Sequence, residues 1–323
     1  MKLSLLDRSR TRSGYPDGAA LQHSAERAVG AESLGYHRFW AAEHHAVPGI
    51  ASGSPAVLLA AAGALTSRIR LGSGGVMLPH HQPLVVAEQF LMLEGLYPER
   101  VDLGLGRTLG FTEPVRRALR QATDDAEQFA SDVSELRAYL RREAPVTARP
   151  ATETVPALFQ LATGEGLVLA AELGLPVVVG GPALHSPDLE ERLAAYRRDF
   201  RATPEAGEPQ VMISLDVFLA ETEEEAQELA LPEAWAMARS RETGEFAPLE
   251  PMEDIYAQRW SSRTRSRVEK TLERTITGPP GVVGPALERL VERTRTDELL
   301  VSTSTYDREA LAALDARLAE LVL

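Results

Sequence analysis

The chain has 323 residues, 44% hydrophobic and 25% charged, with a formal net charge of −13 and no cysteine. The acidic balance argues against nucleic-acid binding, which leaves a basic footprint. The missing cysteines exclude disulfides, thiolate nucleophiles, iron–sulfur clusters and cysteine-ligated zinc. Lys2 and Lys270 are the only lysines among 34 basic residues, a bias that reflects GC-rich coding rather than phosphate recognition. No apolar run approaches the roughly 20 residues of a membrane span. The N-terminal segment is charged again at Asp7 and has no signal-peptide apolar region, so a cytoplasmic location is expected.

In chain order, residues 3–6 form a short apolar strand. Residues 17–34 have helical spacing, with Ala20, Leu21, Ala25, Ala28 and Val29 on one side, and close at Gly35 as a C′ glycine. Strand 38–42, helix 55–66, strand 69–78, helix 84–96 and strand 101–106 follow, and then a helix at 123–142 with a Thr-Asp-Asp start. The second half repeats the unit: strand 155–162, helix 166–173 closed by Gly174, strand 176–179, helix 186–200, strand 211–220, a Glu-rich helix from 222 to 231, strand 298–301 and helix 307–323. Eight strands alternating with helices predict an α/β fold, a closed (β/α)8 TIM barrel spanning 1–323 as one domain. Two regions break the alternation: 109–122, and the polar stretch 239–267 with Phe246, Tyr256 and Trp260. Long connections in a compact domain are usually lids or disordered segments, and 239–267, in the C-terminal third, is the predicted mobile lid or insertion.

Several strand ends carry chemistry. Trp40-Ala41-Ala42 runs into Glu43-His44-His45. A near-neutral imidazole suits general acid–base work; two loop histidines with ordinary hydrogen bonds are the plain alternative. On an extended strand His44 and His45 point to opposite faces, so they share a metal only if the strand has already ended. His80-His81 follows the next strand, so four of seven histidines gather near two strand ends. No H-x-H or H-E-x-x-H spacing accompanies them, and no metal is expected. Gly72-Ser73-Gly74-Gly75 inside a strand marks either close approach of a flat ligand or a barrel bend. Gly104-Leu105-Gly106-Arg107 fails as a dinucleotide fingerprint because Gly110 comes one position too late. Arg107 fits an anion or a surface ion pair equally. Thr163-Gly164-Glu165-Gly166 opens a helix and is either an anion cradle or a plain capped turn.

These segments resemble the bacterial luciferase-like flavin-dependent monooxygenases, most closely a subgroup of luciferase-like oxygenases from bacterial secondary-metabolite (antibiotic) clusters. The likeness is carried by 38–45, 69–79, 83–96 with Val86-Ala87-Glu88, 101–107, 170–176 and 297–307. It implies a TIM barrel using FMN reduced by a separate NAD(P)H:flavin reductase, with O2 giving a C4a-(hydro)peroxyflavin that oxygenates a small organic substrate, an aromatic polyketide intermediate being the leading guess. By the family motif His44 is the catalytic histidine, with Glu43 and His45 beside it. Gly74-Gly75 falls where the family has a non-prolyl cis peptide against the isoalloxazine, and Met77 ends that strand. Arg107 with Thr163, Glu165 and Gly166 would hold the phosphate, although Thr163 is the main hydroxyl where the family often has two or three. Glu113 stands where the family often has an acid, and helix 84–96 matches its homodimer helix. The alternatives are an F420-dependent oxidoreductase of the same fold and a non-catalytic flavin-binding partner subunit.

Overall fold

The computed structural model describes residues 1–109, 112–120, 125–162 and 164–323. Its strands are β1 Lys2–Asp7, β2 Arg38–Ala41, β3 Arg70–Met77, β4 Val101–Gly106, β5 Ala157–Leu161, β6 Val177–Gly180, β7 Val211–Leu215, β8 Val217–Leu219, β9 Ile276–Gly278 and β10 Glu298–Val301. Eight of them close a parallel barrel in the order β1-β10-β7-β6-β5-β4-β3-β2, and β8 pairs with β9 outside it. The (β/α)8 expectation therefore holds. The strand expected over 211–220 instead breaks at Asp216, where the chain leaves the barrel to pair with β9.

Local signals explain the boundaries. Helix Gly18–Ser33 is followed by Gly35 at φ 88°, a left-handed position that glycine occupies without strain. Helix Ala126–Arg141 starts where the Asp125 carboxylate accepts the N–H groups of Glu127 and Gln128. The helix opening at 222 continues to Thr243, and its Thr222–Glu225 capping box satisfies donors at its start.

Side chains alternate along each strand. Leu6, Trp40, Ala42, Phe159, Val178, Met212 and Leu300 fill the barrel interior, while Leu3, Leu5, Phe39, Leu71 and Leu103 pack outward in the main core with the helices. Trp40 meets Phe159 edge to face, with centroids 5.2 Å apart. Its indole occupies space that neighbouring strands must leave open: a Cβ on Gly72 would lie 2.3 Å from Trp40 Nε1. The glycines of β3 thus serve close packing. A Cβ on Gly74 would meet Leu6, and one on Gly75 the Gly104 carbonyl.

Beneath Trp40 lies an ionic layer. Arg38 donates to Asp102 (2.7 Å) and Glu298 (2.8 Å), Trp40 Nε1 donates to Asp102 (3.0 Å), and Arg70 Nη2 reaches the other Asp102 oxygen (2.6 Å).

The stretch 239–267 holds the end of helix Glu223–Thr243, helix Met252–Ala257 and the start of helix Ser262–Leu272, joined by the non-helical connections 244–251 and 258–261. Helices Met252–Ala257 and Ser262–Leu272 pack on helix Glu223–Thr243, burying Trp235, Ile255 and Val268, with Trp260 stacked 5.0 Å from Trp235. The segment is fastened over the loops that follow β1 and β2: Leu249 N–H donates to Thr11 O (2.9 Å) and Gly49 N–H to Phe246 O (2.7 Å). In 109–122 the structure has a short helix, Glu113–Ala118. Among the described residues, no helix is long and apolar enough to cross a membrane.

Replacing Arg38 by alanine should leave the buried Glu298 carboxylate without its cation and Asp102 with Arg70 and Trp40 alone. The expected loss is about 3–5 kcal/mol of unfolding free energy in urea titration at neutral pH; a loss below about 1 kcal/mol would contradict the role given to this layer.

Candidate active site

The C-terminal end of β2 delivers the site. The strand stops at Ala41, and residues 42–52 form a loop held by His44 N–H donating to Ser52 O (2.9 Å) and Ser52 Oγ donating to Ala42 O (2.7 Å). Because strand geometry has ended, Glu43 and His45 meet on one side. Glu43 Oε1 receives His45 Nε2 (2.6 Å) and His81 Nε2 (2.7 Å), and Oε2 receives the Met77 N–H (2.9 Å). Burial pushes the Glu43 carboxyl up, but the bonds from His45, His81 and Met77 outweigh it and bring the pKa down to about 2. Glu43 is therefore a buried anion that fixes the orientation of two imidazoles.

The same three groups are the kind that can bind a metal, since their ligand atoms lie within 4.8 Å of one another. The 2.6 and 2.7 Å separations are hydrogen-bond distances, shorter than the roughly 3.3 Å between ligands placed tetrahedrally about an ion at about 2.0–2.1 Å.

His44 is half-buried. Burial, followed by the positive charges of Arg8 and Arg10, lowers its pKa to about 4, so it is uncharged at neutral pH. Neutral, the ring has one N–H donor and one bare acceptor nitrogen.

The remaining expected residues divide into two groups. Gly74-Gly75 is a cis peptide, at the place where the family resemblance puts one. Just beyond it β3 shifts register against β4 between Ser73 and Val76, which carries Met77 N–H to Glu43. Arg107 follows the end of the neighbouring β4 and is half-buried. Helix Gly166–Leu173 follows β5 and begins after Gly164 at φ 55°, where the Leu167 N–H donates to Gly164 O (3.2 Å) and the Val168 N–H to Glu165 O (3.1 Å). Glu165 is its N-cap residue. Thr163 lies outside the described residues. Glu113 stands apart: its carboxylate is 75% exposed and pairs with Arg117 (2.8 Å) on the short surface helix.

Sequence reasoning noted His81 but gave it no role, and it missed three other groups at the mouth. Arg8 follows β1, Asp216 follows β7 and Ser302 follows β10. Asp216 Oδ1 accepts from Ser302 Oγ (2.8 Å) and Arg8 Nη2 (3.4 Å). Their placement beyond strand ends was the available signal.

The family described as luciferase-like monooxygenase matches residues 1–298. A luciferase-like monooxygenase of Escherichia coli (strain K12) is 36% identical over 316 residues, covering 95% of this chain and 92% of the relative. The crystal structure of apo-MsnO8 superposes with a TM-score of 0.89 at 32% identity, covering 99% of this chain and 98% of the other. The oxygenating constituent of 3,6-diketocamphane monooxygenase from Pseudomonas putida, a type II Baeyer-Villiger enzyme in complex with FMN, shares the fold with a TM-score of 0.74 at 19% identity, covering 99% and 97%.

The lowered His44 pKa has a direct readout. In an NMR titration the His44 ring should stay neutral from pH 8 down to about 5 and protonate near 4, and Arg8→Gln should move that midpoint upward by removing a positive neighbour; a midpoint at the ordinary value of about 6.5 would refute the assignment. The family match over residues 1–298 and the whole-length likeness to these relatives show that this chain is an enzyme of the luciferase-like monooxygenase family.

Proposed function

We propose that the chain is the oxygenating component of a two-component FMN-dependent monooxygenase, supplied with reduced flavin by a separate NAD(P)H:flavin reductase. The observation that supports this most is the pairing, at one barrel mouth, of an uncharged His44 beside the Glu43–His45–His81 group with an anion-binding edge at Arg107 and the Gly166 helix. The residue types fit a flavin phosphate: a guanidinium follows one strand and the N-terminus of a helix follows the next. When bound, reduced FMN supplies the electrons for O2 and delivers one oxygen atom to the substrate.

The chain's own residues do the rest. Arg107 and the N-terminus of helix Gly166–Leu173 hold the phosphate. Glu43 keeps the Nε2–H groups of His45 and His81 pointed inward, and His44 takes up a proton at its imidazole. The segment 244–257 over the loops after β1 and β2 keeps water from the mouth. The substrate is a small organic molecule, and an aromatic polyketide intermediate is favoured by the subgroup resemblance.

Anaerobic titration tests the cofactor. Reduced FMN should bind, and Arg107→Ala should weaken it at least about tenfold, as expected for loss of a charge-assisted phosphate contact. Binding of F420 in preference to reduced FMN would turn the assignment to the deazaflavin alternative. On mixing with oxygenated buffer, bound flavin should reoxidise with kinetics distinct from free FMN and altered by His44→Ala; a rate equal to that of free flavin in both proteins would count against an oxygenase.

A homodimer through helix Pro83–Leu96 completes the proposal. Val85, Met92 and Leu96 lie on one side of that helix and are 43%, 58% and 60% exposed, and the adjacent helix Pro55–Leu65 exposes Val57 and Leu65 at 71% and 58%. Such a contiguous apolar face is costly in water and marks an interface. Light scattering after size exclusion should give a dimer for the native chain and a monomer for Met92→Glu/Leu96→Glu; a monomeric native chain would overturn the interface.

A further inference from the structure

Two imidazoles and one carboxylate form a hydrogen-bond network at the end of β2, and they are also the donor set of a cation site. Zinc is held in this way by two histidines and a glutamate, with water in the fourth place. Three features of the Glu43 group go beyond composition.

The first is convergence. His45 Nε2 and His81 Nε2 lie 2.6 and 2.7 Å from the same oxygen, Glu43 Oε1, and the ligand atoms of the three side chains lie within 4.8 Å of one another. To admit an ion, a separation of 2.7 Å opens by roughly 0.6 Å to the tetrahedral spacing. Small rotations of the two imidazoles suffice, and no backbone has to move.

The second is orientation. Glu43 Oε2 accepts the Met77 N–H (2.9 Å), which leaves Oε1 turned toward the imidazoles and available as a single ligand oxygen. A hydrogen bond behind a ligand typically contributes about ten- to a hundredfold in metal affinity.

The third is access. The Glu43 side chain is 1% exposed, whereas those of His45 and His81 are 22% and 27% exposed. An ion enters from the imidazole side, keeps water there, and meets the carboxylate beneath.

The protons balance. To become a ligand, each ring gives up the Nε2 proton, and a neutral ring carries its remaining proton on Nδ1. One carboxylate and two neutral rings then reduce a divalent ion to a single net positive charge. Imidazole nitrogen suits zinc and its first-row neighbours, whereas magnesium and calcium prefer oxygen.

We propose that Glu43, His45 and His81 form a binding site for a divalent transition-metal ion of the zinc class. The ion is an inhibitor and not a cofactor. With both Nε2 atoms on the ion, neither ring offers an N–H group to the mouth, where the function proposed above needs them. The site itself requires only these three side chains and stands whether or not the chain binds flavin.

Co2+ is the probe, because its visible absorption strengthens and shifts on entering a four-coordinate site. The full-length chain, without added histidines, should bind one equivalent with a Kd in the micromolar range, and Zn2+ should displace it. His45→Ala and His81→Ala should each weaken binding at least about tenfold. His81→Gln replaces either variant that loses its cooperative melt. His185→Ala, in the turn after β6, should leave binding unchanged.

No saturable Co2+ binding below about 1 mM would overturn the site. So would a Co2+ spectrum that survives substitution of either histidine in a folded chain. Saturating Zn2+ should change the reoxidation of bound flavin in the native chain but not in His81→Ala; an unchanged native rate would overturn the inhibitory role. A chain that binds Co2+ but not reduced FMN sinks the oxygenase assignment alone. One that binds reduced FMN but not Co2+ sinks the metal site alone.

Discussion

Arg38 is the residue on which the geometry of the site depends. Its guanidinium joins Asp102 on β4 to Glu298 on β10 from a position on β2, so three strands are tied together across the barrel floor. Charges taken out of water are tolerated only when each finds partners of good geometry, and here all three do. The same strand then carries Trp40 into the interior and releases Glu43 at the mouth. At about 3.3 Å per residue β2 runs roughly 10 Å from Arg38 to Ala41, and Glu43 follows two residues later. Fixing β2 at its base therefore fixes where the acid and its histidines emerge.

Packing above the floor is equally constrained. Trp40 needs Gly72 on one neighbouring strand, and close contact between β3 and β4 needs Gly104 to lack a side chain. The β3 register shift that follows puts Met77 N–H on Glu43. A steric requirement of the interior is thus transmitted to a hydrogen bond in the site. Glu43 shows how burial and hydrogen bonding compete: burial raises its pKa, and three donors outweigh it and keep the carboxylate ionised. His44 shows the reverse outcome, because burial and two neighbouring cations act together to keep it neutral.

The mouth also separates its functions by strand. Titratable and anion-binding groups cluster on the ends of β2 to β5, and balanced ion pairs occupy the ends of β7, β10 and β1. A closed barrel permits this because neighbouring strand ends are close in space however distant they are in sequence. Arg8 and Asp216 are 208 positions apart and touch. The segment covering the mouth carries a small core of its own, built around Trp235 and Trp260, and hangs on the loops after β1 and β2 by backbone hydrogen bonds.

The sequence by itself determined the eight-strand alternation, the helix ends marked by Gly35 and Asp125, and the chemistry gathered at Glu43-His44-His45. Each of these is written in contiguous residues, as a hydrophobic period or a cap, so local rules suffice to read it. Tertiary structure alone decided that 211–220 breaks at Asp216, that helices within 239–267 pack on helix Glu223–Thr243, that the β3 glycines accommodate Trp40 and Leu6, and that Glu113 faces solvent. It also decided that His81 joins Glu43 and that Arg8 meets Asp216. A lone charge past a strand end has no periodicity to betray its partner. That partner is set by barrel closure, which brings together residues that no local pattern relates.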